Sequence, residues 1–444
     1  MVYQCQVCGF VSKKWLGKCP ECSNWNSFVE EKESLKGKKV SLSRSAPPIP
    51  ITEIRNESIS RVSTKLIELD RALGGGIVEG QVILIGGSPG IGKSTILTQI
   101  LDNLASDLNK GLYLTAEESP SQVKIRSDRL NIKNKNFLIL SESNINSALS
   151  EIRRLSPRFI VVDSIQTVYS DTVGSIPGSI SQIRECASML IEYAKSNQVS
   201  LFLVGHITKD GAIAGPKVLE HMVDTVLYFE SENRTMYRIV RVLKNRFGSV
   251  NEIAIFEMRL DGLKEINDPS DIFLQNRFSD SPGSVTFPMV EGSRVFMVEV
   301  QALVSNSTFS MPRRNAQGVD INRINLLITV IEKIIGMNLF SNDIFINIPG
   351  GIKVDDPGID LPIIMSIVSS FLNKKLDSSM VCFGEVGLNG EIRRSSFAKS
   401  RVKESERMGF KKLIAPDSFD KGDIFDKIDV IPLKNISDIT SFFS

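Results

Sequence analysis

Two hydrophobic rhythms run through the chain. Short apolar runs at 82–85, 112–115, 137–140, 159–162 and 201–204 read as strands. Between them apolar residues recur at helical spacing. After the first run, Ile96, Leu97, Ile100, Leu101, Leu104 and Leu108 fall on one helix face. Strand and helix in alternation predict an α/β fold, a mostly parallel sheet with crossover helices and ligands at the carboxyl ends of its strands. Beyond 285 the rhythm mixes. Positions 295–300 and 344–348 alternate as strands, 324–335 is helical, and Asn389-Gly390 signals a hairpin turn. Between 31 and 60 no period survives; lysines precede Pro47, Pro48 and Pro50, which predicts an extended tether.

These patterns divide the chain into a cysteine-bearing module at 1–30, a linker at 31–60 and a nucleotide-binding domain at 61–265. A second linker at 266–284, marked by Asp268-Pro269 and Ser281-Pro282-Gly283, leads to an α+β domain at 285–444. Composition changes this little. A net charge of +2 over 444 residues calls for no global polyanion partner, so any nucleic-acid surface is local. No stretch of 18 apolar residues and no leader pattern is present, so a cytoplasmic protein without membrane contact is expected. Cys186 and Cys382 sit in apolar surroundings and read as core thiols.

The chemistry concentrates after the first strand. Gly87-Ser88-Pro89-Gly90-Ile91-Gly92-Lys93-Ser94-Thr95 meets the spacing of a phosphate-binding loop, between a strand and a helix as that loop requires. Its backbone amides would cradle a polyphosphate, Lys93 would reach the β/γ-phosphates, and the Ser94 hydroxyl would hold Mg²⁺. The run 159–162 ends in Asp163, the Walker-B position for a carboxylate that serves the same metal. The run 112–115 ends in Glu117 and Glu118, either of which can orient an attacking water. The run 201–204 leads to His206, placed to sense a γ-phosphate, and then to a glycine- and lysine-bearing loop from Thr208 through Lys209 to Lys217. That loop is a candidate grip on single-stranded DNA. His221 falls in a helical run and reads as structural. Lys244 and Arg246, in Lys244-Asn245-Arg246-Phe247-Gly248, end another strand. They suit either a finger on a neighbouring subunit's ATP or a grip on DNA phosphates.

At the N-terminus, Cys5-x-x-Cys8 and Cys19-x-x-Cys22 have the spacing of a tetrahedral Zn²⁺ site. The metal would supply folding energy that so short a module lacks. Both tryptophans, Trp15 and Trp25, flank the second pair beside Lys13, Lys14 and Lys18. They can stack nucleic-acid bases, cover the zinc, or dock a protein.

The four cysteines, the loop 87–95, the stretch 206–217 and the signature 244–248 together resemble the bacterial RadA (Sms) family of RecA-related proteins, over essentially the full length. The resemblance implies a C4 zinc finger, a RecA-like ATPase and a Lon-protease-like domain. It implies a homo-hexamer that hydrolyses ATP on single-stranded DNA and a helicase-like motor that extends or branch-migrates recombination intermediates on branched DNA, with the RecA recombinase as a partner. Glu117 then falls on the catalytic glutamate, His206 on the γ-phosphate sensor, and Lys244 and Arg246 on the residues that couple ATP to DNA. One departure is Ser88, where the family pattern carries glutamate. In the Lon-like block, Gly358 stands where a protease has its serine, while Lys399 matches the partner lysine, so no proteolysis is expected. Lys333, Lys353, Arg393, Arg394, Lys399, Arg401 and Lys403 are candidates for a basic surface there.

Overall fold

The computed structural model describes residues 2–5, 10–21, 23, 25–31, 50–53, 60–206, 217–231, 236–268, 270, 274, 281–308, 311–350, 352–417, 425 and 427–443. Two compact units emerge, dividing between Ile266 and Asn267.

In the first unit a nine-stranded sheet forms from Val82–Gly87 (β1), Gly111–Thr115 (β2), Phe137–Ser141 (β3), Phe159–Asp163 (β4), Ser200–His206 (β5), Thr225–Glu230 (β6), Tyr237–Asn245 (β7), Ile253–Arg259 (β8) and Gly262–Glu265 (β9). Its order is β9-β8-β7-β6-β1-β5-β4-β2-β3. Strands β1 to β6 run parallel, and β7 to β9 extend one edge as an antiparallel meander. The apolar runs lack alternation because both sheet faces are covered. Ile83 and Ile85 of β1 pack with helices Ile67–Leu73 (α1) and Lys93–Leu104 (α2). Val82 and Leu84 pack with Ile145–Leu155 (α4) and Ile180–Ser196 (α5). Pro120–Arg129 (α3) and Lys217–Met222 (α6) complete the helices between strands.

The five predicted strands all form, each within a residue or two of its expected bounds. Helix α2 is shorter than the periodicity suggests. It stops at Leu104, where Ser106 and Asn109 close a turn through reciprocal backbone hydrogen bonds, and Leu108 is 93% exposed rather than core. Cys186 is a core thiol, and burial pushes it up to about 12.

The N-terminal module is a three-stranded antiparallel sheet with Cys5, Cys19 and Phe28 buried together. Cys8 and Cys22 lie outside the described residues. The indoles do not cover that core: Trp15 is 52% and Trp25 70% exposed.

The second unit holds a seven-stranded mixed sheet. Ser284–Glu291 (β10) and Arg294–Asn306 (β11) form its central hairpin, and helix Asp360–Leu372 (α7) packs across both. The predicted turn at Asn389-Gly390 joins Glu385–Val386 to Ile392–Arg393, and Cys382 is a fully buried core thiol. Arg401, a candidate for a basic surface, is instead fully buried. Its guanidinium pairs with Asp356 at 2.7 Å, donates to the Pro288 and Ser396 carbonyls, and lies between the rings of Phe287 and Phe383. All three guanidinium nitrogens donate, one of them to the carboxylate, in the fixed fork that suits a buried charge. Arg401→Met is expected to destabilise this unit by about 3–5 kcal/mol, because it strands the Asp356 charge. Calorimetry of the full chain should show one transition lowered, and the double change with Asp356→Leu should recover much of the loss. An unchanged transition in the single variant would contradict a tightly paired site.

Candidate active site

Strand β1 ends at Gly87 and α2 begins at Lys93, so the loop between them sits at the carboxyl edge of the parallel strands. Two glycines are required sterically. A Cβ on Gly87 would lie 2.9 Å from Phe229, and Gly92 has φ +119° with space for a Cβ only 2.7 Å from Met258. No side chain caps the N-terminus of α2, which leaves its first amides and its positive dipole end for an anion. Lys93 is buried, and its ammonium donates to the carbonyls of Gly87 (2.7 Å) and Ser88 (3.0 Å). Burial holds this amine below the ordinary lysine value, against the opposing pull of Asp163 and Glu117. Ser88 is exposed and joins this arrangement through its backbone carbonyl.

Register brings the other groups alongside. Thr115 pairs with Asp163 across β2 and β4, and His206 pairs with Gly87 across β5 and β1. The buried Asp163 carboxylate accepts the Tyr113 phenol at 2.5 Å, and the Ser94 hydroxyl bonds to that same phenol. Burial, with Asp163 beside it, pushes the phenol well above its ordinary value, so it stays a donor. The Asp163–Ser164 peptide bond is cis. Ser164 Oγ donates to Glu117 at 2.5 Å.

The two neighbouring glutamates differ. Glu118 is tied to Arg126 by an ion pair at 2.7 Å, and Arg126 also lies over the Tyr113 ring and donates to its hydroxyl. Glu117 is exposed beside Ser164 and the loop. A cavity of about 470 Å³ opens between the loop and α3, lined by Lys93, Ser94, Glu117, Glu118, Arg126 and Arg129 among others. Uncapped amides and an ammonium suit phosphate oxygens. A hydroxyl beside a carboxylate suits a hard divalent cation. The residues therefore fit a magnesium-bound nucleoside triphosphate.

Tyr113 and Arg126 adjoin Asp163 and Glu118 although no sequence pattern marks them. Tyr113 sits inside an apolar strand run, and Arg126 is one of several charges on a polar helix. Neither carries a motif, and only the strand register makes them meet Asp163. On the other side of the loop, Arg238 donates to the Ile91 carbonyl at 3.0 Å.

Lys244 and Arg246 are not part of this cluster. Asn245 pairs with Thr225 at the start of β6, and Thr225 with Ile83 near the start of β1, so the signature lies at the amino ends of the parallel strands. Strand β1 separates it from the loop by about 17 Å at roughly 3.3 Å per residue. There the Lys244 ammonium caps the carbonyls of Glu220 (2.7 Å) and Val223 (2.8 Å) at the end of α6. Arg246 reaches Asp224 at 3.3 Å, whose carboxylate also takes the Val82 amide of β1 and the Lys195 ammonium. Lys209 and the rest of 207–216 lie outside the described residues, as do the side chains of His206 and Lys217.

Among known protein families, residues 3–30 match the rubredoxin metal binding domain, 62–139 the KaiC ATPase, and 320–418 subunit ChlI of Mg-chelatase. The chain is 49% identical to DNA repair protein RadA of Halalkalibacterium halodurans, over 94% of this chain and 92% of that one. It is 49% identical to the Bacillus subtilis protein of the same name (93% and 91% covered), and 46% identical to that of Aquifex aeolicus (98% and 97%). Among solved structures, a KaiC-like protein of Pyrococcus horikoshii aligns with 47% of this chain and 99% of its own at a TM-score of 0.40 and 19% identity, a likeness too slight to build on.

Proposed function

Because this chain belongs to the RadA family of DNA repair proteins, we propose that it is a DNA-dependent ATPase of homologous recombination and repair, a helicase-like motor that branch-migrates recombination intermediates. The convergence of Lys93, Ser94, Asp163 and Glu117 on one loop carries this reading. ATP–Mg²⁺, when bound, would offer its γ-phosphorus to an attacking water, with ADP as the leaving group. The loop amides and Lys93 would bind the phosphates, Ser94 and Asp163 would hold the metal, and Tyr113 fixes the Asp163 carboxylate. Glu117 accepts the proton of the attacking water, since Glu118 is engaged by Arg126. His206 senses the γ-phosphate from the adjoining strand end.

The coupling machinery lies at the other edge of the sheet. Lys244 holds the end of α6, the helix that begins at Lys217 and follows the loop containing Lys209. Loss of γ-phosphate contacts at His206 is passed through that loop to single-stranded DNA. Arg246 is too far from its own chain's phosphate loop to act there, so it serves a neighbouring copy or DNA. A homo-hexameric ring provides such a neighbour, and the RecA recombinase is the partner expected of this family. Cys5, Cys8, Cys19 and Cys22 hold Zn²⁺. Cys5 and Cys19 share one buried cluster, as two ligands of one ion should. The C-terminal unit is not a protease. Gly358 offers no nucleophile, and its surroundings are occupied by the Asp356–Arg401 pair. Among the described residues no helix is long and apolar enough to cross a membrane; the working place proposed is the cytoplasm.

The test is ATP turnover and branch extension with and without single-stranded DNA, in low salt. DNA should stimulate hydrolysis. Lys244→Ala should bind ATP with affinity within about twofold of wild type yet lose most branch extension. Normal branch extension by that variant would remove Lys244 from the coupling path, and absence of DNA stimulation in the wild type would defeat the motor reading.

A further inference from the structure

We infer that Trp15 and Trp25 form a base-stacking platform for single-stranded nucleic acid on the N-terminal module, separate from the DNA loop of the ATPase. Three observations point there. A Cβ placed on Gly17 would lie 3.8 Å from Trp15 and 3.9 Å from Trp25, so the two indoles flank one bare backbone position. Both rings are more than half exposed, although large apolar side chains in so small a module are normally spent on its core. That core is filled by Cys5, Cys19 and Phe28 with Tyr3, Phe10 and Leu16 packed against it, and needs neither indole.

The geometry of the platform is set rather than incidental. Lys18 and Trp25 face each other as a β-bridge, and Asn26 donates its amide to the Gly17 carbonyl at 2.8 Å. The Trp15 indole N–H is held by the Phe28 carbonyl at 3.2 Å, which fixes a ring that is still half exposed. The Lys18 ammonium lies 5.7 Å from the centre of the Trp25 ring, and Lys13 and Lys14 are exposed in the turn before Trp15. Glu21 is the one exposed carboxylate in the same stretch.

Charge chooses the occupant. Two indoles more than half exposed, one with the Lys18 ammonium over its ring, match among three lysines a polyanion whose repeating unit carries a flat ring. An acidic protein segment could pair with the lysines but lacks a flat ring in each repeat to cover both indoles. The strand must be single, because a duplex keeps its base faces stacked on each other. Stacking uses the π-face that every base has, so binding should tolerate any sequence.

This inference rests on the DNA-dependent reading above, and the chain supplies its own probe. Trp15 and Trp25 are its only tryptophans, so all indole emission comes from this platform. An oligo-dT strand added to the full zinc-loaded chain should quench that emission, with the quench reversed by salt. Trp25→Ala should weaken oligo-dT binding about tenfold by fluorescence anisotropy, while ATP turnover without DNA stays unchanged. Gly17→Leu, which sets a side chain over both rings and leaves them in place, should weaken it similarly. Binding of oligo-dT without quenching, and unaffected by Trp25→Ala and Gly17→Leu, would overturn the platform while leaving the motor reading intact. That result would assign the indoles to a protein partner. If oligo-dT neither binds nor stimulates turnover, the motor reading fails first, and the platform with it.

Discussion

Glu117→Gln should cut ATP turnover by about 10²–10⁴-fold while ATP affinity stays within a few-fold of wild type. The amide keeps the shape of the carboxylate, and its oxygen can still accept from Ser164 Oγ, so the site should not rearrange. What disappears is the basic oxygen proposed to take a proton from water. Single-turnover hydrolysis beside equilibrium binding of ATP separates the two effects. The matching change Glu118→Gln tests the assignment. It should loosen Arg126 and cost far less turnover, because that carboxylate is an ion-pair partner. The reverse order of severity would transfer the base to Glu118. DNA processing that persists at the wild-type level in Glu117→Gln would mean that ATP only assembles the protein.

Lys93→Ala should weaken ATP binding by roughly 10–100-fold, as loss of a charge-assisted contact implies, and reduce hydrolysis to background. The pH dependence gives an independent check. Burial lowers the Lys93 value from that of a free lysine, with Asp163 and Glu117 opposing the fall. The charged ammonium is lost as pH rises through that lowered value. ATP affinity of the wild type should decline on this alkaline limb, below the ordinary lysine range near 10.4. Lys93→Ala should lack the limb. A decline of equal size in both proteins would assign it to another group.

Much of this machinery could be read from residue order, and the reasons are local. The loop 87–95 is a backbone device: a Cβ on Gly87 would strike Phe229, and Gly90 and Gly92 take the positive φ values of the turn into α2. Asp163 was legible because it closes an apolar strand. The choice between Glu117 and Glu118 was not, since it depends on Arg126 reaching back eight residues from α3. Tyr113 was hidden for a similar reason. Its value comes from a partner 50 residues away that only the β2–β4 pairing brings near. Lys244 and Arg246 were recognisable as a signature, but their position at the amino edge of the sheet follows from β7 running antiparallel. Arg401 shows a limit of composition. A cation in a polar helix looks like surface until Phe287, Phe383 and Asp356 close around it.

The pair that closes around Gly358 also bears on how the C-terminal unit can evolve. A Cβ at this position would sit 3.1 Å from Asp356 Oδ1 and 3.4 Å from Arg401 Nη2. A serine arising there by one mutation would meet a carboxylate that already binds the Gly358 amide, and a cation that cannot take its proton. The new hydroxyl would become one more structural hydrogen bond. A reactive nucleophile at this position would require removing Arg401 first, and that step passes through an intermediate with a buried, unpaired carboxylate. Folding stability thus stands between this unit and a working serine at position 358.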